Sequence, residues 1–128
     1  MGTITAIYAS LLALLYIWLA TRVIGYRRAN KISLGDKGDP EMLQRMRAHS
    51  NCAEYAPIGL ILLLLLELQG APAWLVNVSG LSLFAGRLIH GIGLQPHPMN
   101  FRMRVFGMAL TLTQIGTTAL ILLGSALF

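Results

Sequence analysis

Four long apolar runs divide the chain, and none of them alternates apolar with polar positions. They are Thr3 to Ala20, Ala53 to Leu66 with Glu54 as the one interruption by a charge, Ala71 to Gly86, and Val105 to Phe128. Each is helix-sized and rich in Leu and Ala. The pattern therefore predicts an all-α protein and argues against a transmembrane β-barrel, whose strands alternate. A hydrocarbon core of ~30 Å takes about 20 helical residues. The outer two runs reach that length unaided, whereas the middle two must recruit polar flanks. The expected architecture is one domain over residues 1–128, a bundle of four transmembrane helices near 3–28, 40–69, 73–92 and 102–127.

Punctuation between the runs sharpens these ends. The first helix is expected to stop near Gly25 or Arg28, because Asn30 to Asp39 has the Gly, Asp and Asn content of a polar loop. Asp39-Pro40-Glu41 reads as a helix start. Asp39 can cap, Pro40 suits the first helical position, and Glu41 faces the positive end of the dipole. Continued to Gln69, that second helix is about 45 Å long, so its first turns stand outside the hydrocarbon. Pro57 lies inside it and predicts a kink just beyond Glu54. Gly70-Ala71-Pro72 predicts a tight turn, and Pro96 and Pro98 fall in the third connection. The fourth helix carries Thr111, Thr113, Gln114, Thr117 and Thr118, small or polar residues of the kind that hold membrane helices together.

Composition fixes the solvent. With 55% hydrophobic and 12% charged residues in 128, the chain carries more apolar surface than a soluble domain of this size can hide in one core. The N-terminal run has no basic segment before it and leads straight into Arg22, so it reads as a retained helix rather than a cleaved signal. The single Cys52 allows no intrachain disulfide or cysteine-based zinc site, and no histidine or carboxylate set replaces one; no metal is expected. All ten Lys and Arg residues flank or lie in the first or third connection. By the positive-inside rule those connections are cytoplasmic, and both termini and the second turn are outside. The net charge of +5 is then a topological signal whose ordinary partner is anionic lipid. No basic stretch is interleaved with stacking aromatics, so nucleic acid is not an expected partner.

Against this apolar background one polar cluster stands out. Arg47, Asn51 and Glu54 are spaced i, i+4, i+7, within ~60° on one helix face. Glu54 lies sixteen positions before Gly70 and Arg87 fifteen after Pro72, so both climb ~22 to 24 Å from the same turn. His90 follows Arg87 by one turn, and Arg104 opens the fourth helix at a similar level. Charges at such depth must face each other, a cavity or a ligand. A shared pocket with surplus positive charge would suit an anionic guest, because guanidinium groups offer forked donors to carboxylates. The alternative is architectural: Arg47 pairs with Glu54 along the helix, Arg87 and Arg104 snorkel to lipid phosphates, and His90 bonds at the rim. Arg102 and Arg104 differ by ~200° on a helix, so at most one points into a pocket, and Arg104 is preferred. Glu67 and Asn77 are expected in subunit or turn contacts. Cys52 is expected to be a small packing residue.

The segment Arg45-Met46-Arg47-Ala48-His49-Ser50-Asn51-Cys52-Ala53-Glu54-Tyr55-Ala56-Pro57 resembles the signature of the MAPEG family, the membrane-associated proteins in eicosanoid and glutathione metabolism. The four-helix layout and length agree along the whole chain, and the likeness is to the bacterial branch. That resemblance implies a multi-pass protein of the bacterial inner membrane. It also implies a homotrimer with glutathione as the cofactor, bound between subunits, and transferase or peroxidase activity toward lipophilic substrates. Carried over by position, Arg47, Asn51, Glu54, Arg87 and His90 resemble the glutathione-binding residues, and Arg104 resembles the arginine that faces the thiol and lowers its pKa. The chain departs from catalytic relatives at Val105 and Met108, where they carry Ser and Tyr, at Ser50, a second basic position, and at Leu94, where some carry Tyr. A noncatalytic lipid-binding or scaffold member of the same fold is therefore the alternative. A four-helix proton-coupled transporter is a third reading, but that class resembles chains with a carboxylate in the middle of helix one, and Thr3 to Ala20 has none.

Overall fold

Asp39 behaves as its position demands: its carboxylate accepts from the backbone N–H groups of Glu41 (2.9 Å) and Met42 (3.2 Å), with Pro40 occupying the first helical position. The Tyr26 hydroxyl donates to the same carboxylate at 2.8 Å. That bond, joined by the Met42 N–H, holds Asp39 below the ordinary carboxylate range. The computed structural model describes residues 2–128, which form α1 (Thr3–Asn30), α2 (Pro40–Leu68), α3 (Ala73–Gly93) and α4 (Phe101–Leu127). All four are long and apolar enough to cross a membrane.

α1 runs past the stop expected near Gly25 or Arg28. Two features carry it on to Asn30: Arg27 and Arg28 sit at the negative end of the dipole, and the Asn30 amide donates to the Tyr26 carbonyl at 3.0 Å. Lys31 then ends it in the left-handed region, at φ 55°. The second turn is as tight as its residues suggest, with Gly70 at φ 82°, where only glycine is at ease.

α1 has no acidic residue in its first turn and no side-chain cap of its own. Glu67, near the end of α2, supplies one: its two oxygens accept from the Ile4 and Thr5 N–H groups at 2.9 and 2.8 Å. The residue expected at a subunit or turn contact is instead an intrachain cap. It fastens the first helix to the second and satisfies two amides that the helix itself leaves without partners. Asn77 accepts from the Tyr8 hydroxyl at 3.1 Å at the same end. Glu67→Ala is expected to cost about 1–2 kcal/mol. The measurable consequences are a lower thermal midpoint in detergent and faster amide exchange at Ile4 and Thr5.

α2 and α3 form the middle of the bundle; α1 and α4 pack on both of them but not on each other. Leu12, Leu15 and Leu19 of α1 meet Ala48, Cys52 and Ala56 of α2 and Leu83 of α3. Cys52 is a buried packing residue there. The seam between α3 and α4 is polar and close. Ser79 and Thr118 share a 2.9 Å hydrogen bond, and the Gln114 amide donates to Ser79 Oγ at 3.1 Å and to the Gly59 carbonyl at 3.3 Å. Of the α4 polar residues, Thr111, Gln114 and Thr118 are buried in this seam, while Thr113 and Thr117 are exposed. Large apolar side chains such as Ile7, Ile17, Leu112 and Leu120 cover the outside, as suits a bundle whose solvent is lipid.

Candidate functional site

The signature segment on α2 distributes its side chains around three sides of the helix. Arg45 turns to the end of α1, ion-paired to Glu41 at 3.2 Å and lying 4.9 Å from the Tyr26 ring centre. His49 packs on Tyr16 of α1, with ring centres 4.6 Å apart. Asn51 points inward, toward α3.

There Asn51 meets Arg87, which is only 1% exposed and is the largest fully buried side chain. Arg87 Nη1 donates to the side-chain and backbone oxygens of Asn51, Nε to Thr111 Oγ1 at 2.9 Å, and Nη2 to Met108 Sδ at 3.7 Å. Its guanidinium lies 5.3 Å from the centre of the Tyr55 ring, within cation–π range. Among the described residues the ion pairs are Arg45–Glu41 and Arg47–Glu54, so Arg87 has no carboxylate partner. Neutral acceptors and a ring face hold a buried cation in place at the junction of α2, α3 and α4.

Arg47 and Glu54 point the other way. Their side chains are each 52% exposed and face each other at 3.6 Å. The shared hollow expected from matched depth is thus not formed within the chain, and helix geometry says why. Asn51 is ~60° from Glu54 and ~40° from Arg47 around the axis. Because α2 turns Asn51 toward α3, its two neighbours are left on the outside.

His90 and Arg104 form the third part. They line a cleft of about 440 Å³ whose other walls include Phe101, Val105, Met108 and Leu112. Arg104 lines it and Arg102 does not. His90 is buried, brought there by the close approach of α3 and α4. A Cβ on Gly107 would stand 2.6 Å from the Gly86 carbonyl oxygen, and one on Gly86 would stand 2.8 Å from that of Gly107. Met108 joins the two inner parts, since its sulfur receives Arg87 and its side chain walls the cleft.

The six candidate residues therefore make three adjoining pieces: an exposed pair, a buried clamp, and an apolar cleft with a cation at its mouth. Sequence reasoning missed Tyr55, Thr111 and Met108 around Arg87. Tyr55 follows Asn51 by four positions, a spacing that puts both on one side of the helix and that marked it in advance.

Across residues 5–124 the chain matches the model of the MAPEG family. It belongs to the MAPEG family. Two curated relatives are similar over most of the chain. Inner membrane protein YecN of Escherichia coli K12 is 39% identical over 108 residues, covering 84% of this chain and 81% of that protein; YecN of Escherichia coli O6:H1 (strain CFT073) gives the same figures. The matched family region contains all three pieces of the site, from Arg47 to Arg104. As a MAPEG protein the chain is an all-helical membrane protein with four potential spans.

Proposed function

We propose that this MAPEG protein is a homotrimeric glutathione-binding enzyme of the bacterial inner membrane, acting on lipophilic electrophiles or lipid hydroperoxides. The observation that carries the proposal is the half-exposed Arg47–Glu54 pair on the outer side of α2. Lipid is a poor neighbour for such a pair, whereas a polar ligand held against a neighbouring subunit satisfies it. Glutathione has two carboxylates for Arg47 and the other cations, and an amine and amides for Glu54 and Asn51. Arg87 and His90 complete the set from α3, Arg87 by fixing Asn51 and Tyr55 rather than by reaching the ligand.

Arg104 supplies the chemistry. An exposed guanidinium at the mouth of an apolar cleft stabilises a thiolate over a thiol, because the charge attracts the anion and the walls limit water. Bound glutathione would supply the nucleophilic sulfur for conjugation to an electrophilic carbon, with the leaving group departing with its electron pair. For a hydroperoxide, bound glutathione would supply the two reducing equivalents from its sulfur, and Arg104 would hold that sulfur as the anion beside the cleft. The apolar lining, Phe101, Val105, Met108 and Leu112, suits a lipophilic partner. The relatives' inner-membrane names support the location, and the clustering of basic residues supports cytoplasmic first and third connections.

The test is conjugation of chlorodinitrobenzene and reduction of a lipid hydroperoxide in detergent. Arg104→Ala is expected to lower turnover by about 100-fold, in the range for loss of electrostatic stabilisation, with glutathione binding largely kept. Turnover equal to wild type would refute the role of Arg104. Val105 and Met108 occupy positions where catalytic relatives carry Ser and Tyr, and they favour the second reading, a noncatalytic lipid-binding protein. Glutathione binding without either reaction would favour that reading instead.

A further inference from the structure

A groove away from all three pieces lies between α1 and α3. It has a volume of about 610 Å³, and its walls include Leu11, Leu14 and Trp18 from α1 and Leu88 from α3. Leu14 is 65% exposed and Trp18 is also open. At one end the lining changes character, to Arg22 and Gln95.

That polar end is built rather than incidental. The Gln95 amide donates to the Gly91 carbonyl at 2.9 Å, which fixes its oxygen to accept from Arg22 Nε, also at 2.9 Å. Among the described residues neither Nη nitrogen of Arg22 meets a hydrogen-bond acceptor, so the forked end of the guanidinium remains available. Arg22 has no acidic partner among them. Leu11 and Arg22 are eleven residues apart on one helix, ~16 Å along the axis. Half of a ~30 Å hydrocarbon core is about the same length. The apolar part is as deep as one leaflet, and the cation sits where that leaflet's phosphates lie. Trp18, one turn before Arg22, has the amphipathic ring favoured at that boundary. Arg27 and Arg28 follow on α1 and, with Lys31 just past its end, line a separate basic hollow, which raises the positive potential at the headgroup level.

We infer that the groove between α1 and α3 is a binding site for one anionic phospholipid of the leaflet on the basic side, its acyl chain against Leu14, Trp18 and Leu88 and its phosphate on the Arg22 fork held by Gln95. The site is separate from the Arg47–Glu54 face and the Arg104 cleft, and it stands whether or not the protein binds glutathione. A protein segment is a poorer fit for the groove, because one end offers a lone unpaired cation and the other no polar group. Phosphatidylglycerol supplies the matching anion on a chain of the right length.

The experiment is native mass spectrometry of the full protein purified in detergent and titrated with phosphatidylglycerol or with phosphatidylcholine of identical chains. Wild type is expected to retain one phosphatidylglycerol per subunit in preference to phosphatidylcholine. Arg22→Gln should weaken that retention by roughly fivefold, the value of one basic group at an anionic surface, and weaken retention of phosphatidylcholine less, because the choline ammonium offsets its phosphate. Leu14→Trp, at an exposed position that tolerates bulk, should block both lipids by filling the groove. Circular dichroism establishes that each variant is folded. Equal retention of both lipids by wild type, or unchanged retention of phosphatidylglycerol by Arg22→Gln, would overturn the proposal. So would disulfide-linked dimers of Leu14→Cys formed in the membrane, which would put a second copy of the chain in the groove.

Discussion

Arg87→Met is expected to leave the bundle folded while weakening glutathione binding by about tenfold or more. A guanidinium buried to 1% exposure without a carboxylate is costly, and its replacement by an apolar chain of similar length removes that cost. Against this gain, Asn51 Oδ1 loses its donor, a penalty of about 1–3 kcal/mol. Thr111 Oγ1 keeps its own bond to the Gly107 carbonyl, at 3.0 Å. The two effects oppose each other, so the thermal midpoint should move little. Binding should suffer, because Asn51 and Tyr55 are no longer held, and losing one oriented polar contact amounts to ~1.4 kcal/mol or tenfold. Arg87→Ala, which also opens a cavity, should cost about 3 kcal/mol in stability. Calorimetry beside thermal unfolding separates the effects. Arg87→Met with unchanged glutathione affinity would reduce the clamp to architecture.

Gly107→Val should be the most damaging single change to the fold. Any Cβ there meets the Gly86 carbonyl and the backbone of His90, and neither can swing aside as a flexible side chain would. α3 and α4 must separate, which loosens the Ser79–Thr118 and Gln114 bonds and the Arg87–Thr111 bond together. We expect a loss of about 3 kcal/mol or more and a broadened or aggregated size-exclusion profile. A Cβ on Gly116 would meet nothing within 4 Å, so Gly116→Ala should be neutral or slightly stabilising through helix propensity. A stable, monodisperse Gly107→Val would contradict the close approach of the two helices.

How far the sequence speaks depends on which kind of signal is asked. Helix starts were legible where a single local device sets them, as at Asp39-Pro40, and so was the turn at Gly70. The end of α1 was less so, since Gly25 is tolerated inside a helix and the Asn30 amide bond appears only in three dimensions. Glu67 escaped because its partners lie 62 and 63 positions away in the chain, and no periodicity connects a carboxylate to the amides of another helix. Depth matching set Glu54 level with Arg87, whereas Arg87 reaches Asn51, three positions further from the turn. It could not fix the rotation of α2 about its axis, and a few tens of degrees sent Arg47 and Glu54 outward while Asn51 went in. On α4 the spacing Gly107, Thr111, Gln114, Thr118 held the information that polarity alone did not: those four are buried, and Thr113 and Thr117 are exposed.

The central claim is that the exposed Arg47–Glu54 pair is one wall of a glutathione site. Calorimetric titration of glutathione into the detergent-solubilised protein tests it most directly, with wild type, Arg47→Ala and Glu54→Ala compared at one salt concentration. Wild type should bind with a saturable heat, and each variant should lose about tenfold or more in affinity without a matching fall in thermal midpoint, because exposed pairs add little to stability. No saturable heat for wild type, or the same affinity in all three proteins, would contradict the account.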